Sequence, residues 1–449
     1  MGGKHYLPLT EEDRNEMLSV IGAGSVDDLF ADIPADLRFK GNLELEPAMS
    51  ELEVLKHLQQ MADKNRHFQN CISFMGAGIY DHYIPSLVSH VTGRSEFYTA
   101  YTPYQPEVSQ GTLQTIFEYQ TMICQLTGMD VANASMYDGG TALTEGAIMG
   151  CGATRRSRVL VSRSVSPFYR AVMRNYFNSR GLIMDEIPLR DGCTDREALL
   201  NMIDENVAAV ALQQPNFFGM VENMNGLANI IHERKALFLV SVDPISLGLL
   251  QTPAEYGADI VAGEGQCLGI PASFGGPALG ILAAREKYVR QMPGRIAGET
   301  VDSEGNRGFA LTLQTREQHI RREKAASNIC SNEALLALAA SVYLSAMGPQ
   351  GVREVAEQCL QKTSYAREKI TAINGFELVF PGIYFKEFAV KLPVSPEDAN
   401  LHLLKKNILG GVDISQFYPE LDQTMLFAVT EKRTREEIDI LVGELEELK

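Results

Sequence analysis

Two short polar features carry the residue types of a site for a phosphorylated ligand. Gly139, Gly140 and Thr141, in MYDGGTALTEG, stand directly before an apolar run of helical type. Small residues there let backbone N–H groups approach a phosphate, and the start of a helix adds partial positive charge. Asp243 follows the apolar run ALFLVSV, at the carboxyl edge of the expected sheet, where α/β proteins bind ligands. Taken separately, the first feature also fits a tight turn into a helix and the second a cap before Pro244.

A third feature, Asp259 to Pro277 with the sequence DIVAGEGQCLGIPASFGGP, lies some twenty residues further on. The three features are a phosphate turn, an acid, and a strand followed by a turn. Their order along the chain is the one used by fold-type I pyridoxal-phosphate enzymes. In those enzymes a lysine of the turn binds the cofactor covalently, and the acid keeps the ring nitrogen protonated. Here Gln266 stands in the place of the lysine, and no lysine occurs between Lys235 and Lys287. A glutamine amide forms hydrogen bonds but no imine, so the sequence predicts the frame of a cofactor site without its anchor.

The sequence disfavours a Rossmann-type dinucleotide site and a metal site. Gly263, Gly265 and Gly269 follow an apolar strand, but their spacing is one residue too long for GxGxxG, and the segment IPASFGG after them cannot be a helix. His232-Glu233 lacks the second histidine of HExxH, and the other histidines are isolated, so no metal site is predicted. The seven cysteines contain no CxxC pair and are expected to be reduced thiols of a cytosolic protein.

A loop dense in tyrosine and proline, FYTAYTPYQPEVSQG, precedes these features between Phe97 and Gly111. Its tyrosines have packing as an alternative role, but we expect the loop to reach across an interface into the site of another chain. Asn216 and Asn328 are further polar residues at turns, and spacing alone assigns them no role. The candidate residues of the loop are Tyr98, Tyr101, Thr102, Tyr104, Gln105 and Glu107.

The elements that must position these residues are read from the hydrophobic pattern. Thr10 with Asp13 and Ser50 with Glu53 predict capped helix starts in an N-terminal helical arm, residues 1–90. Apolar strands within 158–284 alternate with helices and predict a mostly parallel sheet, covered on both faces, in a large domain of residues 91–325. A helix that stops at Gly348 opens a small C-terminal α/β domain, residues 326–449.

Composition narrows the class of protein. The formal net charge of -17 and the absence of a basic run disfavour nucleic acid or an anionic membrane as a standing partner. The uncharged stretch from Gly265 to Ala284 contains five glycines and two prolines, so a Gly-rich loop beside a strand is favoured over a membrane span. The first residues have neither an apolar core nor an arginine-rich amphipathic stretch, and we expect no signal or transit peptide.

Four motifs together resemble one family. YTPYQPEVSQG, ANASMYDGGTA, QQPNFFG and IRREKAASNIC, spread from Tyr101 to Cys330, are similar to the glycine decarboxylase P-protein of the glycine cleavage system. The resemblance covers essentially the whole chain and is closest to the N-terminal half of the long form, which in many bacteria is a separate subunit. It implies fold type I. The family's catalytic half carries a lysine opposite Gln266 and a ring-stacking histidine where this chain has Ser164-Val165.

The resemblance also implies a division of labour. A second subunit in an α2β2 assembly would hold pyridoxal phosphate, decarboxylate glycine and pass the aminomethyl group to the lipoyl arm of H-protein in the cytoplasm. This chain would bind no cofactor covalently and would supply no catalytic residue of its own. Gly139, Gly140, Thr141, Asp243 and Gln266 would be remnants of a cofactor site, and the Tyr98–Glu107 loop would form part of the partner's active-site wall.

Two alternatives stay open at this point. One is a self-sufficient pyridoxal-phosphate enzyme that uses an unusual lysine such as Lys324. The other is a non-catalytic scaffold or regulatory homologue.

Overall fold

The computed structural model describes residues 8–325 and 327–448. Contacts between residues divide the chain into two compact units, with the division between Asn65 and Arg66. The predicted arm starts with residues 1–7, and the predicted small domain starts at 326 and ends at 449. These residues lie outside the described residues. The predicted domain boundaries at 90 and 325 stay predictions.

The first unit is helical. Its two longer helices begin with the predicted capping boxes, in which Thr10 pairs with Asp13 and Ser50 with Glu53, so both helix starts are confirmed. These side chains satisfy backbone N–H groups that a helix start leaves without partners. The second helix, Glu51–Ala62, has no buried residue.

Helices and strands alternate through most of the second unit. In chain order the helices are α1 (Glu11–Ile21), α2 (Glu51–Ala62), α3 (Ser86–Thr92), α4 (Ser95–Tyr98), α5 (Gln110–Thr127), α6 (Gly139–Thr154), α7 (Pro167–Arg180), α8 (Arg196–Met202), α9 (Leu227–Glu233), α10 (Gln318–Arg321), α11 (Ala334–Thr371), α12 (Pro396–Lys405) and α13 (Arg435–Glu446). The strands are β1 (Ile72–Ser73), β2 (Val131–Ala132), β3 (Arg158–Ser162), β4 (Ile183–Ile187), β5 (Leu189–Arg190), β6 (Cys193–Thr194), β7 (Val207–Gln214), β8 (Leu237–Val242), β9 (Ile260–Glu264), β10 (Gly280–Ala284), β11 (Ile296–Val301), β12 (Arg307–Thr312), β13 (Glu377–Leu378), β14 (Glu387–Lys391), β15 (Ile408–Leu409), β16 (Val412–Asp413) and β17 (Thr424–Ala428).

The large sheet has the order β2-β10-β9-β8-β7-β3-β4. Strands β4, β3, β7, β8 and β9 are parallel, and this confirms the predicted mostly parallel sheet. Strand β10 is antiparallel to both of its neighbours, β9 and β2. The connection between β9 and β10, residues 265–279, contains no helix, whereas a parallel return usually contains one.

Both faces of this sheet are buried, as the nearly continuous apolar strands require. Val159 and Val161 of β3 pack in one hydrophobic cluster with residues of α6 and α7. Leu160, between them, packs in the opposite cluster with residues of α5, α8, α9 and α11. Successive side chains of a strand point to opposite faces, so the sheet forms the middle layer of an α/β/α sandwich.

Helix α11 is interrupted where the sequence predicts a helix end. Gly348 has φ 60° and ψ 178°, outside helical geometry, and Pro349 starts a second helical segment that the sequence analysis missed. By length and hydropathy α11 could cross a membrane. Ala337, Ala340 and Tyr343 are fully buried, however, in the hydrophobic cluster that contains Leu160 of the large sheet, and the helix packs on α3 and α5. We therefore interpret α11 as a core helix.

The C-terminal part of the chain forms a second, antiparallel sheet with the order β13-β14-β17-β16. Residues of α11, α12 and α13 cover this sheet in a separate hydrophobic cluster. Ahead of β14, the N–H group of Phe385 donates to the carbonyl oxygen of Gly219 at 2.9 Å. This bond brings the start of β14 to the large sheet.

Candidate functional site

A small cavity lies where the ends of the large sheet's strands meet the start of β14. Asp243 follows β8, Glu264 ends β9, and Lys386 directly precedes β14. All three line a cavity of about 40 Å³, which has room for a few water molecules. The other lining residues are Gly78, Tyr80, Tyr169, Gln213, Pro215, Asn216, Gly219, Ser241, Val242, Pro244, Cys267, Phe385 and Glu387.

The Gly-Gly turn forms the start of a helix, as predicted. α6 begins at Gly139, and Asp138 caps it in a capping box with Thr141. The N–H group of Gly139 donates to Glu264 Oε2 at 2.9 Å. A Cβ atom at Gly139 would lie 2.5 Å from the hydroxyl oxygen of Tyr169 and 2.9 Å from the backbone nitrogen of Glu264, so the close packing here requires glycine. Glu264 thus stands between the helix start and the cavity.

Glu264 accepts hydrogen bonds with both carboxylate oxygens. Besides Gly139, the backbone N–H groups of Gln266 and Leu279 donate to Oε1, at 2.9 and 3.0 Å. Burial raises the pKa of Glu264 to about 7, although these three donors favour the charged form. The carboxylate therefore uses the position at the helix start that a phosphate would use.

Asp243 lines the cavity, but its carboxylate already has a cationic partner. Asp243 Oδ2 lies 2.6 Å from Lys386 Nζ, and the Lys386 side chain is 2% exposed. The ammonium group also lies 3.0 Å from His82 Nε2 and 3.5 Å from the centroid of the Tyr80 ring. Burial is the largest influence on the pKa of Lys386 and lowers it, but Asp243, Cys267 and Cys359 together outweigh burial, and the net shift of the pKa is upward. Lys386 is thus a buried ammonium ion paired with Asp243.

Gln266 does not line this cavity. Its amide oxygen accepts from the N–H group of Tyr80 at 2.9 Å, and its amide nitrogen donates to the carbonyl oxygens of Tyr80 and Ile270 at 3.0 and 2.7 Å. All of these bonds are to backbone groups. Gln266 therefore holds the chain segment that carries Tyr80 against the turn after β9.

Tyr80 connects this segment to the antiparallel sheet that contains β14, called the small sheet below. Its hydroxyl group donates to Glu387 Oε2 at 2.7 Å, and the N–H group of Ala77 donates to Glu387 Oε1 at 2.6 Å. Burial raises the pKa of Glu387 to about 7 and also raises the pKa of Tyr80. The cavity thus has two buried carboxyl groups whose pKa burial raises to about 7.

These carboxyl groups make stability depend on pH. An acid whose pKa rises on folding binds its proton more tightly when folded, so the free energy of unfolding falls between the ordinary value of 4.5 and the folded value of about 7. In Glu387→Gln we expect the free energy of unfolding to fall less over this pH range than in the native chain, by a difference on the order of 3 kcal/mol. Urea titrations at both ends of this pH range measure it. Glu205→Gln, an exposed control, should leave the fall unchanged; an equal fall in Glu387→Gln and the native chain would contradict the prediction.

A potential ligand cluster lies behind Lys386. His82, Cys359 and Glu431 bring three ligand atoms within 4.8 Å of one another. His82 Nδ1 already lies 2.6 Å from Glu431 Oε2, and its other nitrogen faces the Lys386 ammonium. Burial alone would raise the pKa of Glu431, but His82 and the N–H group of Tyr83 lower it to about 2. A metal cation here would have to displace these contacts, so we interpret the cluster as a hydrogen-bonded chain.

The aromatic loop lies elsewhere, and none of its six candidate residues lines the cavity beside Asp243. Tyr98 and Tyr101 are 68% and 86% exposed. The side chain of Tyr104 is held in place, because Arg295 Nη2 donates a hydrogen bond to its hydroxyl oxygen at 2.9 Å. Thr102 is half-buried, and Gln105 and Glu107 are exposed. Much of the lining of a separate cavity of about 270 Å³ comes from Phe97, Tyr98, Ala100 to Pro103 and Ser331 to Leu335.

Other residues considered from sequence have structural roles or lie outside the cavity. Ser164 is buried and donates to Glu222 Oε1 at 2.7 Å. Asn216 lines the cavity, and its side chain bonds Gly192 and Glu222. Asn328 is exposed, and so is Lys324, which lies in a short 3-10 turn. The lysine that does line the cavity is Lys386, which no sequence motif indicated.

A family model described as the glycine cleavage system P-protein matches residues 4–445. The chain belongs to this P-protein family. A relative from Desulforamulus reducens, described as a probable glycine dehydrogenase (decarboxylating) subunit 1, is 54% identical, with 98% of this chain and 99% of that protein covered. A relative from Bacillus cereus with the same description is 55% identical, with 98% of both chains covered.

Solved structures agree with membership in the P-protein family. The crystal structure of an inhibitor-bound glycine decarboxylase (P-protein) is 44% identical and superimposes with a TM-score of 0.91, covering 99% of this chain and 100% of that chain. Sphingosine-1-phosphate lyase of Burkholderia pseudomallei (15% identity, TM-score 0.66, 92% and 93% covered) and glutamate decarboxylase of Lactobacillus brevis (11%, 0.68, 92% and 96%) share the fold alone. The fold is that of fold-type I pyridoxal-phosphate enzymes, as predicted.

The residues of this P-protein family member do not fit the cofactor that the fold implies. Small-molecule sites typically have volumes of roughly 300 Å³ or more, whereas the cavity beside Asp243 has about 40 Å³. The carboxylate that would face the ring nitrogen is paired with Lys386, and the helix start that would face the phosphate is bonded to Glu264. No mechanistic step can therefore be assigned to a cofactor in this cavity.

Proposed function

We propose that this chain is the non-lysine subunit of a two-chain glycine dehydrogenase (decarboxylating) of the glycine cleavage system, and that a second subunit binds pyridoxal phosphate. The observation that carries the proposal is the match, at 54% identity and over nearly the full length of both chains, to a protein described as subunit 1. The small volume of the cavity beside Asp243 and the pairing of Asp243 with Lys386 support the assignment of the cofactor to the partner. We propose an α2β2 assembly in the cytoplasm, with lipoyl H-protein as acceptor.

The chemistry of the assembly explains what is left for this chain to do. Pyridoxal phosphate supplies the electron sink that the loss of CO2 from glycine requires. Residues that shape the entrance can still exclude water and orient the reactants, because such roles need no lysine. We assign these roles to the exposed loop from Tyr98 to Glu107.

The exposed apolar surface of the first unit supports the proposal that this chain binds a partner chain. Leu52, Leu55 and Leu58 of α2 are 77%, 60% and 55% exposed. They recur at helical spacing on one face of α2, and side chains of this kind are usually buried. An apolar face of this kind marks a protein interface. We assign this face to the contact with the second subunit.

Chemical trapping tests the placement of the cofactor. The chain and its partner are purified as a complex with pyridoxal phosphate, and borohydride then fixes any lysine-bound cofactor as a stable amine. Mass spectrometry of the two chains should find the added mass on the partner and none on this chain. Stoichiometric labelling of this chain, at Lys386 or Lys324, would refute the proposal and favour a self-sufficient enzyme.

The loop distinguishes an active-site wall from a scaffold. Tyr101 is 86% exposed, so Tyr101→Ala should leave the folded chain intact. We expect the reconstituted complex to lose on the order of tenfold or more in kcat/KM for glycine, which corresponds to about 1.4 kcal/mol of positioning energy. Tyr83→Ala, at a tyrosine that is 57% exposed outside the loop, is the matched control. Unchanged activity of Tyr101→Ala in an intact assembly would favour the scaffold.

A further inference from the structure

Fold-type I enzymes hold pyridoxal phosphate by two charged ends, and in this chain both ends already have partners. Asp243, on the side of the ring nitrogen, faces the Lys386 ammonium at 2.6 Å. The start of α6, on the side of the phosphate, donates from Gly139 to the Glu264 carboxylate. Both Lys386 and Glu264 line the cavity of about 40 Å³. The signs of the charges match those of the cofactor, with a cation at the acid and an anion at the helix start.

The Lys386 ammonium is fully provided with contacts. Asp243 Oδ2, His82 Nε2 and the ring of Tyr80 lie at 2.6, 3.0 and 3.5 Å. The Gln266 side chain holds Tyr80 through two hydrogen bonds to the Tyr80 backbone and donates a third to the carbonyl oxygen of Ile270. Gln266 therefore contributes to the surroundings of Lys386, since it positions the Tyr80 ring that the Lys386 ammonium contacts. A buried charge of this kind is retained only when it is paired and hydrogen-bonded.

From these contacts we infer that Lys386 and Glu264 stand in for the ring nitrogen and the phosphate of the cofactor, so that the pocket excludes phosphorylated pyridines. The Asp243–Lys386 ion pair then fastens the start of the small sheet to the large sheet. Removing either partner alone leaves a buried charge without compensation, whereas removing both leaves none. The inference concerns only the pocket of this chain and stands whether or not the partner carries pyridoxal phosphate.

Exclusion is tested first on the native full-length chain. Pyridoxine 5′-phosphate has the ring nitrogen and the phosphate but no aldehyde, so it cannot react with surface lysines. Equilibrium dialysis at millimolar concentrations should show no saturable binding. Saturable binding to the native chain would overturn the inference, and this result does not depend on the folding of any variant or on the proposed function.

The two stand-in side chains are then removed together. Lys386→Ala with Glu264→Ala vacates both ends, and we expect pyridoxine 5′-phosphate to bind the folded variant at least about tenfold more tightly than the native chain. Binding as weak as that of the native chain, in a variant that retains its circular dichroism spectrum, would overturn the assignment of exclusion to these side chains.

A double-mutant cycle tests the ion pair. Lys386→Met should raise the equilibrium constant of unfolding by about a hundredfold or more, and adding Asp243→Asn should recover at least about tenfold. Lys391→Met is the matched control, because Lys391 lies five residues on and pairs with Asp422 at the surface. A Lys386 variant no weaker than the Lys391 control, or a cycle without coupling, would overturn the fastening role. If Lys386→Met alone fails to fold, a folded double variant supports this role and an unfolded one overturns it.

Discussion

Replacing Gly219 by alanine is expected to destabilise the chain by more than about 4 kcal/mol. Gly219 has φ +79°, and an added Cβ atom would lie 1.9 Å from the carbonyl oxygen of Glu387 and 2.4 Å from its carbonyl carbon. Both atoms belong to the backbone, so no side-chain rotation relieves the clash. Gly219 also accepts the hydrogen bond from Phe385 that places the start of β14. Urea unfolding measures the loss.

Gly226 is the matched control for this substitution. It has nearly the same backbone angle, φ +78°, but an added Cβ atom would meet nothing within 4 Å. Gly226→Ala therefore reports the cost of the left-handed backbone alone, about 1 kcal/mol. Equal losses for the two variants would show that the contact with Glu387 contributes nothing.

Replacing Leu52, Leu55 and Leu58 together by serine is expected to weaken assembly with the second subunit by about a hundredfold or more. Full burial of a leucine stabilises by about 1.5–3 kcal/mol, so three leucines with half of their surface buried in the partner contribute several kcal/mol. The three side chains are largely exposed within the first unit, so the stability of that unit should change little. Sedimentation of the mixed subunits across a range of concentrations gives the affinity. The prediction rests on the proposed function.

Leu200 and Leu401 are suitable control positions, since they are 52% and 53% exposed and lie on α8 and α12 of the second unit. Serine at both positions should leave the affinity as it is in the native pair. Native affinity of the triple variant would show that the apolar face of α2 binds something other than the second subunit.

Local chemistry explains why many elements could be predicted. Thr10 with Asp13 and Ser50 with Glu53 satisfy backbone groups within three residues, so the sequence alone determines these helix starts. The strands of the large sheet are recognisable because both of their faces are buried and their sequences are almost entirely apolar. Asp243 was found by the same logic, because strand ends of a parallel sheet meet at one edge.

The same logic could have found Glu264 but not Lys386. Glu264 is the last residue of β9, so it shares the sheet edge with Asp243 and a strand-end rule applies to it. Lys386 comes from the small sheet, and more than a hundred residues separate it from Asp243. The second segment of α11 was missed for a different reason, since a Gly-Pro pair ends a helix but also allows Pro349 to start the next one.

The sequence by itself determined the family, the alternation of strands and helices, the Asp243 and Gly139 positions, and the glutamine at position 266. These features depend on neighbouring residues or on motifs that are contiguous in the chain. Only the tertiary structure decided what these polar groups contact: Lys386 at Asp243, Glu264 at the start of α6, and Gln266 on the backbone of Tyr80. Charge pairing inside a protein depends on distance and burial in three dimensions, and residue spacing along the chain specifies neither.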